Sequence, residues 1–241
     1  MEQLQSVLYN DIALPKETGS QATEKQQIQV VYKKPSPKQK LYLPFKRFID
    51  ITLSLLAIIL CAPLFCLVAL LIKIDSSGSV FFKQKRVGKN GKEFTVYKFR
   101  SMKQNAEEQL FEMDEYTQHN AQDIKQRLKD DPRITRVGKY IRKTSIDELP
   151  QLINILKGDM SVVGPRPLAT YEHEELDNFQ QQRAIVKPGL TCFWQVSGRS
   201  LLDEKTRTEL DIKYVHSFNF FTDVKLIAKT VPVVVTGKGA Y

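Results

Sequence analysis

The sequence predicts an α-rich α+β protein: a re-entrant membrane helix hairpin, then a cytoplasmic domain of interfacial helices and a small β-hairpin. Three observations carry this. Ile51–Ile72 is a run of 22 residues without a charge. Val80–Phe82 and Phe94–Tyr97 are strand-like and flank Asn90-Gly91, a hairpin turn pair. Apolar residues recur at helical spacing in segments such as Leu149, Leu152, Ile153 and Leu156. The boundaries read as a flexible basic tail over 1–43, the membrane hairpin over 44–78 and the remaining domain over 79–241.

Residues 1 to about 40 are polar, Gln-rich and unpatterned, a composition that cannot bury a core. The apolar run follows. At about 1.5 Å per residue it approaches the ~30 Å of a bilayer's hydrocarbon core. Pro63 stands at its middle and removes a backbone hydrogen bond, so it bends a helix there. Basic residues flank both ends: Lys40, Lys46 and Arg47 before, Lys73, Lys83, Lys85 and Arg86 after. The positive-inside tendency holds both flanks on the cytoplasmic side. A bent hairpin dipping into one leaflet satisfies bend and charge together; a straight span is the alternative.

The predicted β-hairpin, Val80–Met102, carries Lys83, Lys85, Arg86, Lys98 and Arg100, as a solvated face or as a basic ribbon against lipid headgroups or a nucleotide. Lys103–Lys129 is charged, with the pattern of one or two surface helices. Tyr171–Arg183 reads as one polar helix, Lys187-Pro188-Gly189 as a turn, and Thr206–Phe218 as a helix. Asp223–Val235 reads as an amphipathic helix with Pro232 near its end, facing either a membrane interface or the core.

Between these lies Arg142–Arg166, where the chemistry concentrates. Ser145 and Glu148 have the spacing of a capping box, so a helix is expected to start here with its free N–H groups forming an anion site. Asp147 adjoins Glu148, while Arg142 and Arg166 bracket the segment. Two acids where a phosphate is also welcome require a divalent cation between them or direct attack by one acid on phosphorus. The plain alternative is a capped helix with no chemistry. Residues adjacent on a helix point about 100° apart, so the two carboxylates cannot present themselves equally to one atom.

Composition narrows the partners. Lys and Arg total 36 against 27 acids, a formal charge of +9. Seven of these cations lie between Lys25 and Ile49 with no acid, and eight between Lys83 and Lys103 with only Glu93. Such clusters suit phosphate-rich partners, anionic membrane lipid or nucleotides. No zinc-finger, RNP-type or helix-turn-helix pattern points to nucleic acid. The three cysteines form no disulfide framework, and His119, His173 and His216 lack metal-motif spacing.

Six motifs in order resemble the bacterial sugar transferase family, the monotopic polyprenyl-phosphate phosphoglycosyl transferases of the exopolysaccharide-initiating type. They are Lys46–Asp50 entering the apolar run, Phe82–Gly88, Tyr97–Met102, Ser145–Leu152, Lys157–Pro167 and Gln195–Arg199. The resemblance departs at Ala62, where the family often has Ser before the proline, and at Cys192-Phe193-Trp194, where it commonly reads Gly-Trp-Ala. It implies a re-entrant helix kinked at Pro63 and a catalytic domain over 79–241 at the cytoplasmic face of a bacterial inner membrane. The implied reaction moves a sugar-1-phosphate from a UDP-sugar to polyprenyl (undecaprenyl) phosphate and releases UMP. Asp147 would attack phosphorus and touch Mg²⁺; Glu148 would cap, orient or bind the metal through its carbonyl. Arg142, Arg166, Arg199, Lys98 and Gln195 would contact substrate or phosphate. The contrasting expectation is a non-catalytic basic scaffold bound to anionic lipid, which needs no acid pair beside arginines. No pattern sets an oligomeric state.

Overall fold

The computed structural model describes residues 35–104, 106 and 131–237. The tail before Pro35 and the surface helices expected over 103–129 lie almost wholly outside them.

The chain opens with α1, Pro37–Asp75. Ser36 caps it reciprocally: its Oγ accepts from Gln39 N–H at 3.3 Å and its own N–H donates to Gln39 Oε1 at 2.8 Å. Pro37 sits where a missing N–H costs nothing. The helix thus starts seven residues before the boundary that the sequence suggested, and it runs on through Pro44 and Pro63. Its 39 residues extend about 58 Å if straight, well beyond a bilayer core. Only 11% of its most apolar window is buried in the fold. One stripe faces the protein: Tyr42 and Leu43, then Ala57, Ile58 and Phe65, then Val68 and Ile72, each group entering a different part of the core. The opposite stripe, including Leu55, Leu56, Ile59, Leu60 and Leu70, is exposed.

Strands β1 (Phe81–Val87) and β2 (Glu93–Phe99) pair antiparallel from Phe81↔Phe99 to Val87↔Glu93. The expected turn is there: Asn90 and Gly91 take φ of 58° and 75°, the left-handed region these residues tolerate. The solvated-ribbon and lipid readings of this hairpin give way to something mixed. Lys98 and Arg100 are turned into the protein and Arg86 pairs with Glu172 at 3.3 Å, whereas Lys83 and Lys85 stay outward.

Helix α2, Arg136–Lys143, is capped by Thr135 Oγ1, which accepts from Gly138 N–H at 2.9 Å. Gly138 presses on β2's exit: a Cβ there would lie 2.0 Å from Ser101 O. A 3₁₀ turn over Ile146–Glu148 leads to α3, Gln151–Lys157. The helix expected from Ser145 is therefore a single tight turn, and the α-helix waits until after Pro150. Strand β3 (Ser161–Val163) follows, and after α4 (Thr170–Glu174) comes β4 (Gly189–Thr191), parallel to β3. Neither short strand is visible as a pattern in sequence. Where one polar helix was expected over Tyr171–Arg183, the chain breaks. Leu176 is buried, and Asp177 and Gln180 cap each other through bonds of 2.8 and 3.0 Å to start a new 3₁₀ segment, Gln180–Ile185.

Three helices finish the fold: α5 (Phe193–Ser197), α6 (Glu204–Ser217) and α7 (Phe220–Thr236). Asp203 and Asn219 cap the last two. Tyr214 and Val215 of α6 and Phe218 just after it meet Val163, Val186 and Leu226 in one core cluster. α7 has a buried and an open side: Leu226 enters the core, while Phe221 and Val235 are each 81% exposed. Asp223 ties α7 to α1, accepting from Tyr42 Oη at 2.9 Å and Lys46 Nζ at 2.5 Å, with Tyr214 Oη 2.8 Å from its other oxygen.

Candidate active site

The site is assembled around Glu148. Asn154, fully buried on α3, supplies β2 with the partners a third strand would give: Tyr97 N–H donates to its Oδ1 at 3.0 Å and its Nδ2 donates to Thr95 O at 2.7 Å. That registers α3 on β2 and brings Lys98 over the acid pair. Lys98 Nζ donates to Glu148 Oε1 at 3.0 Å. From the other side, Arg166 grips Glu148 with both terminal nitrogens, Nη2 to Oε1 at 2.6 Å and Nη1 to Oε2 at 3.3 Å. Glu148 is thus clamped, and its carboxylate does not cap the turn.

Arg166 leaves β3 on the Gly164–Pro167 loop, and that loop is anchored from behind. Arg183 donates to Arg166 O at 2.9 Å and pairs with Asp211, which is wholly buried. The Trp194 ring lies between two guanidinium groups, 5.9 Å from the Cζ of Arg166 and 5.5 Å from that of Arg207.

Asp147 is the contrast. It is 8% exposed, yet its carboxylate takes part in no hydrogen bond or ion pair among the described residues. Burial first, and then the adjacent Glu148 charge, push its pKa up to about 6, against the opposing pull of Lys98, Arg142 and Arg166. Burial acts on Glu148 too, but Arg166 and Lys98 outweigh it and hold that carboxyl well below its usual range. Burial also pushes Lys98 down, while Glu148 raises Arg166. Two neighbouring carboxyls thus have pKa values driven apart, an arrangement that suits a division of roles between them.

Ser145 and Arg199 close the site. Both adopt positive φ, 57° and 54°, and Arg199 Nη2 donates to Ser145 Oγ at 3.2 Å. Non-glycine residues in this region cost of order 1 kcal/mol or more and gather at functional sites. Of the residues singled out in sequence, the structure brings Lys98, Arg142, Asp147, Glu148, Arg166 and Arg199 within electrostatic reach of one another. Gln195 Oε1 accepts from Cys192 Sγ at 3.1 Å.

The bacterial sugar transferase family model matches residues 41–237. The chain belongs to this family. Among similar members, the galactosyl transferase CpsE of Streptococcus agalactiae is 42% identical over 200 residues, 83% of this chain and 44% of its own length. The exopolysaccharide production protein ExoY of Rhizobium meliloti is 41% identical over 201 residues, 81% of this chain and 88% of its own. The UDP-glucose:undecaprenyl-phosphate glucose-1-phosphate transferase of Escherichia coli is 38% identical over 204 residues, 81% of this chain and 41% of its own. The chain therefore spans nearly the whole of one of these family members and under half of the other two.

Several supports of this family member's site escaped sequence reasoning. Asn154 had a faint signal, a polar residue inside the apolar α3 pattern. Arg183 and Asp211 had none, since 28 residues separate them.

Proposed function

We propose that this protein moves a sugar-1-phosphate from a UDP-hexose to polyprenyl phosphate at the cytoplasmic face of the bacterial inner membrane, releasing UMP. One observation carries the reading: a buried carboxylate without a partner, Asp147, beside a carboxylate clamped by two cations. The names of the relatives, one with UDP-glucose and undecaprenyl phosphate in it, point the same way.

Asp147 is the nucleophile. Ionised, an Oδ attacks the sugar-bearing phosphorus, the bond to the UMP oxygen breaks, and a phospho-sugar stays on Asp147. An oxygen of the lipid phosphate then attacks that phosphorus and the carboxylate leaves. Glu148 keeps Arg166 and Lys98 in place through both steps. Arg142 and Arg199, both within electrostatic reach of Asp147, receive phosphate oxygens. Asp147, whose oxygens no protein group holds among the described residues, would be the side-chain ligand of a Mg²⁺, an ion that commonly takes only one or two carboxylates and completes its shell with phosphate oxygens and waters. The Glu148 side chain is spent on Arg166 and Lys98, which leaves only its backbone carbonyl for a metal. When bound, Mg²⁺ would offset the repulsion between Asp147 and the diphosphate.

Contacts along α1 support the re-entrant topology. Arg47 donates to the Ile155 and Leu156 carbonyls at 2.5 and 2.8 Å, and Asp50 accepts from Ser161 Oγ and Val162 N–H at 3.0 and 2.9 Å. Near the other end, Asp75 accepts from Val137 N–H at 2.9 Å. One folded unit cannot hold both ends of a helix from opposite sides of a bilayer. Lys38 and Lys40, exposed at the start of α1 beside its apolar stripe, suit anionic lipid.

The test is to give the purified protein donor alone and weigh it. A hexose-phosphate adduct on Asp147 is expected, and UMP release in a panel of UDP-sugars identifies the hexose. Asp147→Asn should abolish both. Full UMP release by that variant would remove the covalent scheme.

A further inference from the structure

A cavity of about 170 Å³ is lined by residues of α1, β3 and the segment entering β4, and by neither acid of the pair. Ser161 and Val163 line it, and Arg166 follows three residues later, roughly 10 Å along an extended chain. Four cations also line it, Lys46, Arg47, Lys89 and Lys187, against a single acid, Asp50. Lys46 is spoken for by Asp223, and Asp50 is occupied by Ser161 and Val162. Lys89 and Lys187 form no ion pair or hydrogen bond among the described residues. Moreover, Lys187 Nζ and Arg47 Nη2 converge: each stands 3.5 Å from the point where Gly158 would carry a Cβ.

We propose that this cavity is a second phosphate site, taking the phosphate group of a soluble, cytosolic ligand. Lys187, Lys89 and the unused N–H groups of Arg47 are its donors. Helical geometry argues for the soluble source over a lipid headgroup. Leu43, Lys46, Arg47 and Asp50 share one face of α1. At about 100° per residue, the exposed Leu41, Phe45 and Phe48 fall on the opposite face. The apolar face that meets the bilayer therefore points away from the cavity.

Inorganic phosphate is the probe, titrated against the full-length protein in phosphatidylcholine nanodiscs while Tm is followed, with chloride at matched ionic strength as reference. Phosphate should raise Tm beyond chloride. Lys89→Gln/Lys187→Gln should match the wild type without phosphate and weaken the apparent Kd at least tenfold, whereas Lys92→Gln on the same hairpin should not. Phosphate already bound at the acid pair would survive the double substitution, so an unchanged Kd overturns the proposal. So does an equal response to chloride. A third arm uses phosphatidylglycerol nanodiscs: if the lysine pair alters stability only there and never with free phosphate, the occupant is a headgroup and the soluble site is refuted. None of these readouts depends on UMP release, so the result is separable from the transferase reading.

Discussion

Replacing Asp147 by Asn should destroy transfer and stabilise the fold. Its pKa rises from 3.8 to about 6 on folding. At 1.36 kcal/mol per pH unit, that shift places about 3 kcal/mol against the ionised folded state. The sign follows from which state binds the proton more tightly. An acid with a raised folded pKa costs stability wherever it is ionised: fully above about pH 6, progressively less below, and not at all once it is protonated in both states. Asp147→Asn removes that cost. The gain is at most about 3 kcal/mol at pH 7.5, and roughly a third of it remains at pH 4.5. For a chain of this size that is about 6–12 °C in Tm at the upper end. The assay is thermal unfolding of both proteins in nanodiscs across that pH range, read as a difference so that other titrations cancel. A lower Tm at pH 7.5, or a gain that does not shrink on acidification, would refute the claim that Asp147 is held ionised at a cost.

The neighbouring acid should behave oppositely. Glu148→Gln strips the charge from a clamp of Lys98 and Arg166 and should cost about 3–5 kcal/mol, seen as a fall in Tm together with lost transfer. Transfer by the unaltered protein should drop about tenfold per pH unit below pH 6, as Asp147 takes up its proton; a rate flat to pH 4.5 would exclude it as the ionised nucleophile. Chelation should stop UMP release and added Mg²⁺ restore it, measured with no other divalent ion present. Cysteines placed at Lys38 and Lys89 should react with an impermeant label from the same side of intact cells; opposite-side labelling would show a span.

Much of this was legible in the chain. The charge-free run, the Asn90-Gly91 turn and the acid pair are local patterns, each enforced by neighbours in sequence. The cation set around Asp147 was legible as composition, but its wiring was not. Arg166 and Lys98 read as phosphate ligands because each is basic and near a motif; the structure adds that both also donate to Glu148, a pairing no local pattern announces. Ser145 and Glu148 have capping-box spacing, yet Ser145 takes a left-handed conformation and Glu148's oxygens find stronger, charged partners 50 and 18 residues away. Local spacing predicts a local bond only when no distant charge outcompetes it. The β3–β4 pair was invisible for a different reason: three residues are too few to show a period.

The docking of α1 also bears on how the protein can be handled. Arg47, Asp50 and Asp75 satisfy backbone groups of α3, β3 and α2, and Val68 and Ile72 complete the core around Phe99 and Ile141. Trimming the greasy segment to make a soluble enzyme would leave those amides and carbonyls unanswered and open a hole around Phe99 and Ile141. What reads as a mere anchor is also a supporting beam: the domain cannot be cut free of it and keep its interior.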